Sequence, residues 1–402
     1  MTKLSAGTQP VIVVGGGVGG VATALALGQQ GRSVTLLEQA DQIGAIGYGV
    51  QLGPNVLPML RQLGLADAAL AKAYLPTEIG WYDLNTAQPL AHIPLQTEAF
   101  ATRYPGSSYM AIHRVDLHEL LLGACRQLPN VQLNQSTTVS GYRQQNGQVQ
   151  IVTDRGEALD ACAVIAADGL RSRLRAQMHP DDTPQDTGYV AHRTIVPMEN
   201  APELARQRTG VTMWSGPGFH VIYYPLRDRS ELNIVVVVRV PPGLTDDSSG
   251  YRAYLAQIMA SAQPEPQALI ALVNLERRWS IADRMPVRRW ADGCVTLLGD
   301  AAHATLQSVA QGAGMAIEDA VTLAALMRHA GDDYALAFQK LQRIRFLRTA
   351  RVQLESRALW ETYHCEGVHA EIRAWDWGAR QPKDFYRCLD WLWTPVSLAD
   401  LA

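Results

Sequence analysis

Four consecutive β-branched residues, 11–14, run into a glycine cluster, Gly15-Gly16-Gly17-Val18-Gly19-Gly20. An unbroken apolar run of this kind is the pattern of a parallel strand buried on both faces. The Ala- and Leu-rich stretch behind it predicts a helix over 21–30, and a second apolar run over 34–37 ends on Glu38. A glycine-rich stretch over 43–55 follows, then a helix near 56–63. Alternation predicts a short β excursion over 79–83 and 90–93, and a helix is entered through His113-Arg114-Val115-Asp116-Leu117. Strands are predicted near 131–134, 138–143 and 148–153, and an apolar strand over 162–166 ends at Asp168-Gly169.

From about residue 187 the texture changes to long β runs over 189–196, 211–214, 220–225 and 231–240. They predict an antiparallel sheet inserted between the halves of a nucleotide-binding fold. Helices near 251–260 and 266–275 complete the insert, and a strand over 295–299 returns to the first domain. Beyond residue 313 the pattern is helical, with a long amphipathic helix over 334–364. The expected division is a nucleotide-binding domain in three parts (1–75, 105–186 and 279–332), a β excursion (76–104), a substrate-binding sheet (187–278) and a C-terminal helical region (333–402). Five of the nine tryptophans, Trp360, Trp375, Trp377, Trp391 and Trp393, fall in that last region. Such rings serve either a homodimer contact or a tail packed on its own body, and the second is the expectation.

Composition narrows the class. A chain of 402 residues, 47% hydrophobic and 18% charged, can bury a large core. A net charge of −3 from 35 basic and 38 acidic residues makes no electrostatic case for nucleic acid. No window reaches the roughly 18 apolar residues that a membrane span requires. The polar stretch 1–9 and the short run behind it lack the form of a secretion signal. The five cysteines are scattered without metal-binding spacing, so no metal site is expected, and they read as reduced thiols of a cytoplasmic protein.

The glycine cluster carries the first chemistry. Gly15 makes a tight turn, Gly17 lets a pyrophosphate approach the backbone, and Gly20 lets the next helix pack on its strand. With Val18 just ahead of it, that helix aims free amides and its positive dipole end at the phosphates. Glu38, with Gln39 beside it, suits hydrogen bonds to both hydroxyls of an adenosine ribose and repels a 2′-phosphate. A second patch, Leu297-Leu298-Gly299-Asp300-Ala301-Ala302-His303, precedes Gln311-Gly312-Ala313-Gly314-Met315. Together the patches imply one flavin dinucleotide, FAD, gripped by both ends of the chain. Gly49 and Val50 lie in the stretch whose backbone would face a flat ligand. The fold class is therefore α/β: a Rossmann-like FAD-binding domain of the glutathione-reductase type, an inserted antiparallel sheet and a helical C-terminal region.

The glycine fingerprint with Glu38, His113-Arg114-x-Asp116-Leu117, Asp168-Gly169 and Gly299-Asp300-Ala301-Ala302-His303 resembles the class A flavoprotein aromatic hydroxylases over essentially the whole chain. These are single-component FAD monooxygenases that act on phenols. The resemblance implies that Asp300 bonds the ribityl chain, that Arg114 reaches the ribityl chain or pyrophosphate, and that Asp168 lies near FAD and the passing nicotinamide. It implies that the helix start at Gly312, Ala313 and Gly314 stabilises negative charge on the reduced ring. NADH is the implied reductant, and dioxygen the co-substrate, through a flavin C4a-hydroperoxide.

A phenol, with a pKa of about 10, must be made more electron-rich to attack that species. His220 is the candidate for this contact, with Gln307 assisting. Tyr224, four residues further along the strand, shares its face. The segments Gly218-Phe219-His220-Val221-Ile222-Tyr223-Tyr224-Pro225-Leu226, Leu306-Gln307 and Asp390-Trp391-Leu392-Trp393 are most similar to the subgroup acting on 3-hydroxybenzoate. This implies a small phenol-carboxylate substrate and gentisate as product. Salicylate 1-hydroxylation, 6-hydroxynicotinate 3-hydroxylation and a flavin dehydrogenase or oxidase remain alternatives. In one departure, Ala304 stands where the family generally has proline, which puts the stiffness of the 304–311 loop in question.

Overall fold

The computed structural model describes residues 9–44, 47–145, 148–244 and 248–398. The start of the polar N-terminal stretch and residues 45–46 of the glycine-rich stretch therefore lie outside the described residues. The fully buried strand Val11–Val14 pairs in parallel with Val34–Leu37 on one side and Ala163–Ala166 on the other. Val131–Asn134 and Val295–Leu297 extend this sheet in parallel, and the short strand Ala291–Asp292 closes one edge antiparallel. Helix Val18–Gly28 crosses over on one face, beginning three residues earlier than the periodicity predicted. Helix Gly312–Ala330 packs against it. A three-stranded meander, Val139–Gln145, Gln148–Thr153 and Ala158–Ala161, caps the other face.

The inserted sheet has seven strands, in the order Trp279–Asp283, Gln185–Pro197, Glu231–Arg239, Phe219–Leu226, Val211–Gly216, Glu78–Asp83, Pro89–Pro94. Its neighbours are antiparallel at every step but one: Val211 to Ser215 run parallel to Ile79 to Asp83. The β excursion is thus the outer part of the inserted sheet. One face packs under helices Ser248–Met259 and Pro264–Ile270 in a core of Tyr223, Ile234, Val236, Val238 and Leu269. The opposite face meets the C-terminal helices through Trp81, Met213, Tyr224, Tyr363 and Trp393.

Helix Tyr334–His364 spans the molecule, followed by Val368–Gly378 and Pro382–Trp393. Trp360 and Trp393 are buried, Trp377 and Trp391 are half-buried, and Trp375 is 78% exposed. The tail therefore packs largely on its own body. Among the described residues no helix is long and apolar enough to cross a membrane.

Candidate active site

Gly15 adopts φ +107°, and a β-carbon there would lie 2.3 Å from the Ala167 carbonyl oxygen. A β-carbon at Gly20 would lie 1.9 Å from the Gly15 oxygen, so both positions exclude any side chain. Gly17 differs: its missing side chain would point into open space, with nothing within 4 Å, at the cap of helix Val18–Gly28. The Glu38 carboxylate accepts from the amides of Gly16 (2.6 Å) and Ala40 (2.8 Å). Each of its oxygens retains a second lone pair, the arrangement needed to receive two ribose hydroxyls. The buried His118 lies 2.7 Å from the Gly16 carbonyl and holds the turn from behind. Nothing in the sequence pattern marked that histidine.

The second patch meets the first directly. Gly299 has φ +60°, and its amide donates to Asp319 (3.1 Å). Asp300 starts the short helix Asp300–His303, exposed beside Gly312, where a β-carbon would stand 4.0 Å from Asp300 Oδ1. Gly17 and Gly312 are thus open cradles on opposing chain segments, and this shape fits a flat dinucleotide lying between them. Gly314 has a packing role instead, since a β-carbon there would meet Val56 at 2.8 Å.

Behind the Gly312 helix start lies a buried ionic network. Arg345 pairs with Glu318 (2.7 Å) and Asp319 (2.6 Å), and Arg348 bonds both Glu318 oxygens (2.9 and 2.8 Å). His303 Nε2 lies 2.5 Å from Asp319, while Asn55 bridges Gln311 (3.1 Å) and Glu318 (2.7 Å). Burial pushes both carboxyls up, but the neighbouring cations outweigh it and hold Asp319 down at about 2 and Glu318 below its ordinary value. Arg348 also donates to the carbonyls of Trp391, Leu392 (2.8 Å) and Thr394 (3.1 Å), tying the tryptophan tail to the same helix. The sequence reading missed this network because it depends on which turns of two helices face each other.

A cavity of about 790 Å³ runs from these cradles to the inserted sheet. Gly17, Val18, Gly49, Val50, Arg114, Asp300, Gly312 and Ala313 line it, and so do His220, Tyr224 and Gln307. Strand Gly49–Leu52 is brought close by the absence of a side chain at Gly49, where a β-carbon would lie 2.6 Å from Tyr224, and by the hydrogen bond that the Gly49 amide donates to Asn233 Oδ1 (2.8 Å). Half-buried Ile222 packs against buried Val235, Leu306 and Trp360 on the sheet side, an apolar wall that keeps water scarce.

Polar groups converge on this space. His220 is buried, its Nδ1 2.9 Å from His364 Nε2, and burial first, then His364, lowers its pKa well below 6.5. Burial raises the Tyr224 hydroxyl, which stays protonated at neutral pH. Arg193, half-buried on strand Gln185–Pro197, donates to Gln307 Oε1 (2.7 Å). Among the described residues no carboxylate lies within ion-pair distance of Arg193, and burial lowers its pKa. Gln307 Nε2 is buried with no partner. Arg193 and His364 were missed by the sequence reading, although a cation inside a predicted β run was a visible signal.

Two expected contacts fall elsewhere. Asp168 Oδ2 accepts from the amides of Arg173 (2.9 Å) and Leu174 (3.4 Å) at the start of helix Arg173–Met178, beside its cap Ser172, while Ala167 and Gly169 touch the cavity. Short side chains with local backbone partners favour such caps. Gln39 is exposed beyond the Glu38 turn, away from the cavity. The 304–311 loop is stiffened from helix Tyr334–His364: Thr305 bonds Ser356 (2.7 Å), Ser308 donates to the Ser356 carbonyl (2.6 Å) and Tyr363 donates to the Ser308 carbonyl (2.7 Å). Ala304 is buried at φ −49°, ψ 130° and needs no proline for that support.

Comparison with known proteins agrees with this geometry. Residues 8–335 match the FAD binding domain family. The chain is 39% identical to the 3-hydroxybenzoate 6-hydroxylase of Polaromonas naphthalenivorans (strain CJ2), covering 96% of this chain and 95% of that protein. It is 37% identical to the 3-hydroxybenzoate 6-hydroxylase of Klebsiella oxytoca, covering 95% and 96%. The fold superimposes on Klebsiella pneumoniae HpxO complexed with FAD and uric acid at a TM-score of 0.85 and 25% identity, covering 97% of this chain and 98% of the other. The chain belongs to the FAD binding domain family, among its FAD-dependent aromatic hydroxylases.

Proposed function

We propose that this protein is a 3-hydroxybenzoate 6-hydroxylase that converts 3-hydroxybenzoate, dioxygen, NADH and a proton into gentisate, water and NAD⁺. The observation that carries the substrate reading is Arg193: a guanidinium facing an apolar cavity, without a carboxylate partner among the described residues. A cation placed there is stabilised when a ligand brings the missing negative charge. Gln307, with its amide nitrogen free, stands ready beside it. An aromatic carboxylate supplies that charge, and the apolar wall accepts its ring.

When bound, FAD accepts hydride from the nicotinamide and activates dioxygen for delivery of one oxygen atom to the ring. Gly17, Glu38, Arg114, Asp300 and Gly312 hold it, and the Gly312 helix start offers free amides to its negative charge. Arg193 and Gln307 hold the substrate carboxylate, and Tyr224 hydrogen-bonds the substrate from strand Phe219–Leu226. His220 accepts a hydrogen bond from the ring hydroxyl. Burial disfavours an imidazolium, so His220 polarises this hydroxyl first. It takes the full proton as the ring donates electrons and the hydroxyl turns strongly acidic. NADH as reductant follows from the same family resemblance. A cytoplasmic setting accords with five free thiols, and exposed Trp375 is what the tail leaves for contact with a second copy.

The test is product identification. Purified protein is incubated with NADH, or with NADPH, and separately with 3-hydroxybenzoate, salicylate, 4-hydroxybenzoate or 6-hydroxynicotinate. Gentisate from 3-hydroxybenzoate alone, with NADH preferred, is expected. Catechol from salicylate overturns the substrate assignment. Peroxide without any hydroxylated product makes the protein an oxidase.

A further inference from the structure

His364 ends the long helix Tyr334–His364, where a histidine ordinarily faces solvent and favours the helix C-terminus as a cation. Here it is buried, stacked on Tyr189 (ring centroids 4.6 Å apart) and edge-on to Trp360 (5.0 Å). Its Nε2 touches His220 Nδ1 at 2.9 Å. Around it stand His220, Tyr189 and Tyr363, and the charges of Arg373 and Arg239 act on it from further off. None of these is a carboxylate, and the Trp360 carbonyl alone favours a charged ring. Burial, with both arginines adding to it, drives the His364 pKa down to about 3.

We propose that His364 is a positioning residue for the hydroxylation, a neutral imidazole that fixes His220 with Nδ1 protonated and Nε2 free to accept the substrate's hydroxyl proton. Between two neutral imidazoles one nitrogen donates and the other accepts, so the His364 tautomer dictates that of His220. His364 Nδ1 is buried with no hydrogen-bond partner, and the backbone group that acts on the ring is the Trp360 carbonyl one turn back, for which Nδ1 is the nitrogen that His220 leaves over. That carbonyl favours a proton on Nδ1 and leaves Nε2 as the acceptor. His220 then donates from Nδ1 to His364, and its Nε2 lone pair is the group left for the cavity. The inference rests on the hydroxylase reading above but on no particular ring substituents.

The test uses the FAD-loaded enzyme and whichever phenol the wild type hydroxylates best. His364→Leu removes the acceptor; His364→Gln restores one through its side-chain carbonyl. With His364→Leu, retained FAD, substrate-stimulated NADH oxidation and hydroxylation slowed on the order of 10–100-fold near neutrality are expected. The rate should recover as alkali ionises the phenol itself, and NADH should be diverted to peroxide. His364→Gln should recover much of the rate without alkali. Equal rates in both variants with an unshifted pH profile, or an unchanged rate in His364→Leu, overturn the proposal. If His364→Leu fails to fold, His364→Gln decides alone: an unchanged pH profile together with a loss on the order of 10–100-fold would mark a structural histidine. Wild type that hydroxylates no phenol defeats the functional reading instead, and is seen before any variant is made.

Discussion

A β-carbon on Gly19 would lie 3.1 Å from the β-carbon of Ala316, so the glycine fingerprint and the C-terminal helix start touch through their smallest residues. Ala316 is also 3.2 Å from the β-carbon position of Gly299. Three distant chain segments thus meet at one methyl group, and their separation sets the width of the cradle.

Enlarging that methyl tests the contact. Ala316→Leu forces the Gly19 and Gly299 segments apart at an overpacking cost of about 1–3 kcal/mol. Purified variant protein should be folded but pale, with flavin content reduced well below wild type and little recovered on adding FAD. Undiminished yellow colour in a well-folded Ala316→Leu protein would mean that the cradle tolerates widening.

Much of this site was legible because its parts are local. A turn with φ +107° at Gly15, a carboxylate at the end of the second strand and a Gly-Asp pair before a helix each leave a mark within a few residues. Face alternation put His220 and Tyr224 together for the same reason. The parallel pairing of Val211 with Ile79 left no such mark, because partners over a hundred residues apart are chosen by the whole sheet. Strand Ala158–Ala161 was missed because four residues with an aspartate among them carry too little alternation. Arg345, Arg348 and His364 look like ordinary polar positions of a long helix until the packing shows which turn faces inward.

Arg345 is such a position, with 0% side-chain exposure against two carboxylates that are equally buried. Arg345→Met leaves Glu318 and Asp319 in the interior without the one guanidinium they share, at about 3–5 kcal/mol. The pH dependence follows from the sign of the shift. Asp319 is depressed from 3.8 to about 2, so its contribution is complete above its ordinary value and is lost as pH falls toward 2. In the variant Arg348 still holds Glu318 and His303 still holds Asp319, but burial is offset less and both carboxyls rise, so acid unfolding should begin at a higher pH. Thermal melts across acid pH check this. A variant whose melting point and acid limb match wild type would show that the network is energetically idle.

Arg193 offers a cleaner separation of binding from chemistry. Arg193→Gln keeps a hydrogen-bonding side chain but removes the charge. Loss of a charge-assisted contact of about 1.5–3 kcal/mol corresponds to roughly 10–150-fold weaker binding of 3-hydroxybenzoate. The measurement is titration of the oxidised flavoprotein, following the flavin absorbance change, so that turnover is not needed. Binding of 3-hydroxybenzyl alcohol, which lacks the carboxylate, should hardly change. If the loss falls on the NADH KM instead, Arg193 serves the nicotinamide cofactor rather than the substrate.

The histidine pair makes a prediction about stability that is independent of catalysis. His220 and His364 are both held below 6.5 by burial, His364 to about 3, so the folded state refuses protons that the unfolded chain accepts. Stability therefore rises with pH wherever only the unfolded histidines are protonated. The pair's full stability is present above 6.5 and declines steadily as pH falls from there toward about 3. That window lies mostly above the one in which Asp319 acts, so the two can be told apart in one series of urea melts. His364→Leu removes one of the two titrating groups, and the slope of stability against pH between 6.5 and the carboxylate range should drop accordingly. An identical slope in wild type and variant would mean that His364 is protonated in the folded protein. A charged ring at that position could not accept a hydrogen bond from His220 Nδ1, so the positioning role would fall with it.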